Sequence, residues 1–230
     1  MKFNEDVMLV GVNVALVPYK RKHVEKYNSW MQNPELQNLT ASEPLSLEEE
    51  FEMQELWQKD ETKLTFIVLD VNKLRKKLRH CYESNNHPNE IEPDQEHKNV
   101  MSQKIQHLEQ QCMVGDVNLF FNEVDKGNAE ISVMIAEKDC RRKGYGFQTA
   151  CLMMNYAKRE LNVDTFTAKI GTDNKASKAL FEKLNFEEVG RSIVFQEVTM
   201  QVTAKSITSI DFNHTSYGFM TEYFKSDNST

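Results

Sequence analysis

From Cys112 to Thr203 the chain switches repeatedly between two hydrophobic periods, and that order restricts the folds open to it. "CMVGDVNLFFN" and "GNAEISVMIAE" read as strands joined through "EVDKGN", whose Gly127 and Asn128 suit a hairpin turn. "FQTACLMMNYAKREL" repeats its apolar residues at helical spacing, and "VDTFTAKI" returns to a strand. "NKASKALFEKLNF" is helical again, with Ala176, Ala179, Leu180 and Leu184 expected on one face. "FEEVG" and "SIVFQEVTMQVT" close the run as an antiparallel pair. Strands first, then strand, helix, strand, helix and two strands, predict one α/β domain. Its central sheet is mixed and mostly antiparallel, with helices on its flanks.

The first part of the chain extends this plan. "VNVALVPY" (Val12 to Tyr19) is an opening strand closed by Pro18, and "HVEKYNSWMQ" spaces Val24, Tyr27, Trp30 and Met31 as a helix does. After a turn-like "NPELQNLTASEPL", Ser46 and Glu49 form a capping box that starts a second helix. Phe51, Met53, Leu56 and Trp57 are its expected buried stripe, and its three glutamates suit the positive end of the helix dipole. "LTFIVLD" (Leu64 to Asp70) is a strand.

Residues 71–111 then change character. They carry few large apolar residues and four of the six histidines, His80, His87, His97 and His107, at spacings that match no metal-ligand pattern. The segment reads as a polar, mobile insertion, helical at one or both ends. A polar tail, 204–230, is expected to fray. The domain is therefore expected to span 1–203.

A net charge of −7 argues against a general nucleic-acid binder, which needs an excess of lysine and arginine. The N-terminal apolar run is too short for a membrane span and is interrupted by Asn13. The cysteines show no C-x-x-C spacing, so neither a disulfide framework nor a zinc site is expected. Cytoplasmic placement, no metal, no membrane and no nucleic acid are the resulting expectations.

"RRKGYG" stands between the second hairpin strand and the helix that follows. A loop feeding a helix start aims unpaired backbone N–H groups at one point, with the positive dipole end behind them. Gly144 and Gly146 allow close backbone approach, while Arg141, Arg142 and Lys143 add charge at the rim. A Walker loop would end in G-K-[ST], and a Rossmann fingerprint would have glycine where Thr149 stands. Alone, Arg141-x-x-Gly144-x-Gly146 fits a basic turn better than an anion cradle. The neighbouring segments reverse that.

"AEISVMIAEKDCRRKGYG", an amphipathic helix, a strand and Asn174-x-x-Ser177-x-x-Leu180-Phe181-x-Lys183-x-x-Phe186 resemble the two signature segments of the GCN5-related N-acetyltransferase superfamily. "NLTASEPLSLEEEFEMQELW", "TFIVLD", "CMVGDVNLF", "VMIAE" and "SIVFQEVTM" are similar to the N-acetyltransferase 9 family, over residues 8 to about 203. The resemblance implies acetyl-coenzyme A in a V-shaped gap between splayed strands. Backbone groups of Met134, Ile135 and Ala136 would meet the pantetheine, and residues 141–146, Tyr145 included, would hold the pyrophosphate. Asn174 would lie near the pantetheine or sulfur, with Ser177 and Phe181 on the same helix and Lys183 near the nucleotide. Asn174 equally suits a helix N-cap, and both roles are compatible.

The implied reaction needs a neutral amine. At neutral pH, deprotonation costs about 1.4 kcal/mol for an α-amine and about 4.6 kcal/mol for a lysine. A base must take the proton. Glu130 stands where several superfamily members keep a catalytic glutamate, although an exposed carboxylate on a half-buried strand would look the same. Many members carry tyrosine where this chain has Phe181, and its hydroxyl protonates the departing thiolate. Phenylalanine cannot, which favours the easier α-amine acceptor. The family likeness implies tubulin N-termini as substrate. Thr40, Ser42, Glu43 and Glu197 are expected to orient the amine, each fitting turn or strand surface equally well. The rivals are a lysine or small-amine acetyltransferase and a non-catalytic acetyl-coenzyme A or microtubule scaffold.

Overall fold

The structure is a computed structural model that describes residues 4–5, 7–77, 107–122, 125, 127–207 and 216–219. Its strands are β1 (Val7–Val10), β2 (Val14–Pro18), β3 (Lys63–Asp70), β4 (Met113–Phe121), β5 (Asn128–Ile135), β6 (Thr165–Gly171), β7 (Glu187–Ser192), β8 (Glu197–Thr203) and β9 (Ser216–Phe219). They form one nine-stranded sheet in the order β7-β8-β6-β5-β4-β3-β2-β1-β9. Every neighbouring pair is antiparallel except β5 with β6. The helices are α1 (Val24–Met31), α2 (Pro34–Thr40), α3 (Leu47–Lys59), α4 (71–77), α5 (107–112), α6 (Tyr145–Glu160), α7 (Lys175–Lys183) and α8 (Ala204–Ile207). The mixed, mostly antiparallel α/β architecture read from the sequence is the one observed. No helix among the described residues is long and apolar enough to cross a membrane.

Strand alternation divides the core. Ala129 and Ile131 of β5 point into the layer formed with Leu152, Met153 and Tyr156 of α6. Met134, of opposite parity, joins Tyr27, Trp30 and Met31 of α1. Glu130 and Ser132 share the parity of Met134 and so lie on the α1 face. The register of β3 with β4 shifts at a bulge between the Val68–Gly115 and Leu69–Met113 pairs. There a Cβ on Gly115 would fall 1.9 Å from the carbonyl oxygen of Met134, so the close approach of β4 to β5 requires glycine.

Several expectations change. The opening strand is a hairpin, with Gly11 N–H donating to the Val14 carbonyl at 2.8 Å. The turn-like "NPELQNLT" is largely α2, where Asn33 accepts from the Glu35 amide and Pro34 takes a first-turn position that needs no N–H donor. The Ser46–Glu49 capping box is present on α3. Of its expected stripe, Phe51, Met53 and Trp57 are half-buried against the core while Leu56 is 67% exposed, and its fully buried residues are Glu50 and Gln54. The helix lies over polar groups of the sheet, so polar side chains face inward. On α7, Phe181 and Leu184 are buried while Ala176 and Ala179 face out.

Both ends of the insertion are helical and packed. Leu74 of α4 and Leu108, Glu109 and Cys112 of α5 are buried, and the residues between 77 and 107 lie outside the described set, as do His80, His87 and His97. In the tail, where fraying was expected, Ser216–Phe219 pair with β1 and extend the sheet.

Candidate active site

β5 and β6 pair only from Asn128 with Thr165 to Glu130 with Thr167. Beyond that point they part. β5 stays with β4 as far as Ile135, and β6 stays with β8 as far as Gly171. The facing edges of 131–135 and 168–171 thus open onto a wedge instead of another strand. Backbone donors and acceptors there require partners, and an extended ligand with amide groups of its own supplies them.

At the wide end stands the turn into α6. Gly144 caps the helix at φ 81°, and Arg142 has φ 61°, so the chain makes two left-handed steps within "RRKG". These steps aim the first-turn amides of α6 outward, the backbone pattern that binds anions. A Cβ on Gly146 would come within 3.4 Å of Leu180 Cδ2 and 3.6 Å of Ile135 Cγ1, so β5, α6 and α7 converge here. Arg142, Lys143 and Gly144 are exposed at this turn. Lys183 is brought beside it, its Nζ 4.6 Å from the Phe147 ring centroid.

Two members of the motif are used differently from the expectation. Arg141 is not a free rim cation. Its Nε donates to the Ile135 carbonyl at 2.8 Å, Nη2 to that of Ala136 at 3.3 Å, and Nη1 to Glu35 Oε1 at 2.6 Å. It braces the end of β5 against α2. Tyr145 turns inward and donates to Asp70 Oδ2 at 3.1 Å, leaving its backbone to the turn. Burial and the Asp70 carboxylate push its phenol up to about 12.

Glu130 sits at the last paired position before the wedge, and Lys169 of β6 reaches back to it, Nζ to Oε2 2.7 Å. The hydrogen bond to Glu130 and its charge raise the Lys169 pKa, and Glu197 on β8 adds to this. Glu197 thus acts on Lys169 only through its charge, with the hydrogen-bonded partner being Glu130. Lys169 was absent from the sequence reading. Its signal was the parity of "TAKI": continued past the hairpin pattern, it places residue 169 on the same face as Glu130.

Asn174 caps α7, its side chain accepting from the Ser177 amide at 3.0 Å. Phe181 is buried, its ring 4.9 Å from that of Phe186. Thr40 and Ser42 satisfy the end of α2: Thr40 Oγ1 donates to the Leu36 carbonyl at 2.8 Å and lies 3.0 Å from Ser42 Oγ. Glu43 is exposed beyond them. Between α1, α2 and the chain leaving β5, a cleft of about 340 Å³ is lined by Lys26, Trp30, Leu36, Ala136 and Glu137, among others. There Trp30 Nε1 donates to Glu137 at 2.9 Å.

A buried polar group on the α1 face was also missed. Asp116 of β4 is 2% exposed. Burial raises its pKa to about 7, against the hydrogen bond from Asn118 and the charge of Lys63. Asn118 donates to Asp116 at 2.6 Å and accepts from Thr65 Oγ1 at 2.6 Å. Burial lowers the Lys63 ammonium to about 8 and raises the Glu50 carboxyl. "VGDVNLFF" shows these residues as strand positions; only the helices above the sheet make them interior.

The match to known proteins follows these elements. Residues 13–187 fit the family model described as an acetyltransferase (GNAT) domain. An N-acetyltransferase 9-like protein of Nematostella vectensis is 44% identical over 91% of this chain and 92% of its own length. The alpha/beta-tubulin-N-acetyltransferase 9 of Homo sapiens is 43% identical over 88% and 86% respectively. Among solved structures, spermidine N-acetyltransferase from Vibrio cholerae, in complex with CoA and spermine, has a TM-score of 0.62 at 16% identity. It covers 85% of this chain and 98% of its own. A ribosomal L7/L12 alpha-N-protein acetyltransferase has a TM-score of 0.61 at 13% identity, covering 86% and 94%. At these identities the structural matches speak to fold.

Proposed function

The chain belongs to the acetyltransferase (GNAT) family and is an N-acetyltransferase of the N-acetyltransferase 9 type; from this we propose that it acetylates the N-terminal α-amine of tubulin chains in the cytoplasm. The observation that carries the choice of acceptor is the 43% identity, across most of both chains, to relatives named for α- and β-tubulin. The open setting of the site supports a polymer substrate. Side chains of Glu130 and Lys169 are 31% and 54% exposed, unlike the walls of a closed small-amine pocket.

Acetyl-coenzyme A supplies the acetyl thioester. The residues present fit it in part. Of the expected Met134 to Ala136 stretch, the Ile135 and Ala136 carbonyls already accept from Arg141 and the Ala136 N–H donates to Val114, so its amides fall to the edge of β5 between Ile131 and Ile135. Arg142, Lys143 and the amides at Gly144 to Gly146 suit its pyrophosphate, and Lys183 its nucleotide end. In this reading the Nδ2 group of Asn174 meets the same ligand while its oxygen caps α7. Phe181 and Leu180 form an apolar wall, and Ser177 is half-buried between them and the cap.

Glu130 is the base of this reading. In this reading Glu130, at the narrow end of the wedge, takes the proton that an incoming amine sheds, and Glu197 adds negative charge that draws a cationic terminus inward. Lys169 holds Oε2 of Glu130, which leaves the carboxylate's other oxygen, Oε1, to the acceptor amine. Incubation with acetyl-coenzyme A and peptides bearing either a free N-terminus or an internal lysine tests the assignment. Acetylation at the terminus alone is expected; transfer to lysine alone would replace the α-amine with a side-chain acceptor.

A further inference from the structure

Phe181 leaves an unfilled role. The C–S bond breaks more readily when the sulfur is protonated or its developing charge is offset, and an aromatic ring packed on Phe186 does neither. Tyr145 is occupied with Asp70. On the reading that Glu130 takes the amine proton, we propose that Lys169 is the general acid that returns a proton to the departing sulfur.

Lys169 lies two residues beyond Thr167, the last β6 partner of Glu130, so it stands on the lip of the wedge on the same face. Its Nζ reaches across the narrow end to Glu130 at 2.7 Å. The balance closes within this pair. The acceptor nitrogen forms the C–N bond and yields a proton to the Glu130 carboxylate. The C–S bond breaks, and Nζ of Lys169 gives a proton to the sulfur. Glu130 then passes its proton along the existing hydrogen bond to Nζ, and both groups regain their starting charge.

The timing is also favourable. Glu130 as a carboxylate is what raises the Lys169 pKa. Once Glu130 is protonated that hold disappears, so Lys169 becomes a stronger acid as the leaving group needs it.

The test compares Lys169→Met and Lys169→Arg with the native protein, all checked for equal melting curves. With an N-terminal peptide, Lys169→Met is expected to lose about a hundredfold in kcat at nearly unchanged KM for acetyl-coenzyme A, and Lys169→Arg less. A binding readout is independent of turnover. Native protein should prefer coenzyme A over its desulfo analogue increasingly as pH rises and a thiolate forms beside the ammonium. Lys169→Met should show no such trend. Unchanged kcat, or the same pH trend in Lys169→Met, overturns the assignment. So does an acetyl group found on Lys169 itself by mass spectrometry, because the amine would then be a nucleophile. If native protein acetylates no peptide amine, the acetyl-transfer reading fails with it. Native transfer beside an indifferent Lys169→Met removes only the acid role.

Discussion

Glu109, at the far end of the insertion, accepts a hydrogen bond from Nε2 of His23 at 3.2 Å, and both side chains are buried. Nδ1 of His23 accepts the Lys20 amide at 3.1 Å, which leaves the ring proton on Nε2. Lys22 closes on the same carboxylate at 2.5 Å. The insertion thus braces the turn that launches α1.

Removing this brace should be costly. Glu109→Ala is expected to destabilise the protein by about 3 kcal/mol, because it strands a lysine and a buried imidazole. Denaturant unfolding measures this. Burial lowers the His23 pKa below 6.5, so the unfolded chain binds more protons below that value and stability falls as pH drops through it. The depressed Glu109 pKa acts in the same direction at lower pH. His23→Gln should weaken the upper part of that decline.

Glu130→Gln should lower turnover by about a hundredfold or more while coenzyme A affinity holds. The amide keeps the size of the carboxylate but cannot take a proton. Steady-state rates and calorimetric binding separate the two effects. Equal turnover across pH would remove Glu130 from the chemistry.

Gly144 has open space around its Cα, so Gly144→Ala introduces no clash. The expected penalty of about 1 kcal/mol comes from φ 81° alone. If the turn relaxes to relieve it, the amide cradle is misaimed and affinity for coenzyme A falls further than stability does. Melting and titration of the same variant show which loss is larger.

Asp116 titrates in the fold at about 7, against 3.8 in its ordinary state. The folded protein binds the extra proton between those values, so this contribution to stability is present at low pH and lost as pH rises through about 7. Asp116→Asn should flatten that part of the stability curve. A pH series of unfolding midpoints is the check.

Local rules carried much of this structure. The capping box at Ser46 and Glu49 needed only the spacing, and Asn185, with φ 64°, takes the left-handed position that ends α7. The strand–loop–helix around "RRKGYG" was legible because period and turn chemistry agree there. Arg141 was not, since its partner Glu35 lies on a helix that reads as a turn. Nor were Glu50, Asp116 and Lys169. Each owes its environment to what another segment lays over or beside it, and no periodicity within its own segment records that.

The short pairing of β5 with β6 divides the sheet mechanically. Strands β1 to β5 with β9 make one plate, and β6 to β8 another. Along the sheet they are stitched by the parallel register from Asn128 to Glu130. Such a seam is a natural flexure, stiffened from one side by α6 and α7. A ligand seated in the wedge would act as a rivet across it. Amide exchange at the seam should then slow on ligand binding far more than exchange inside either plate.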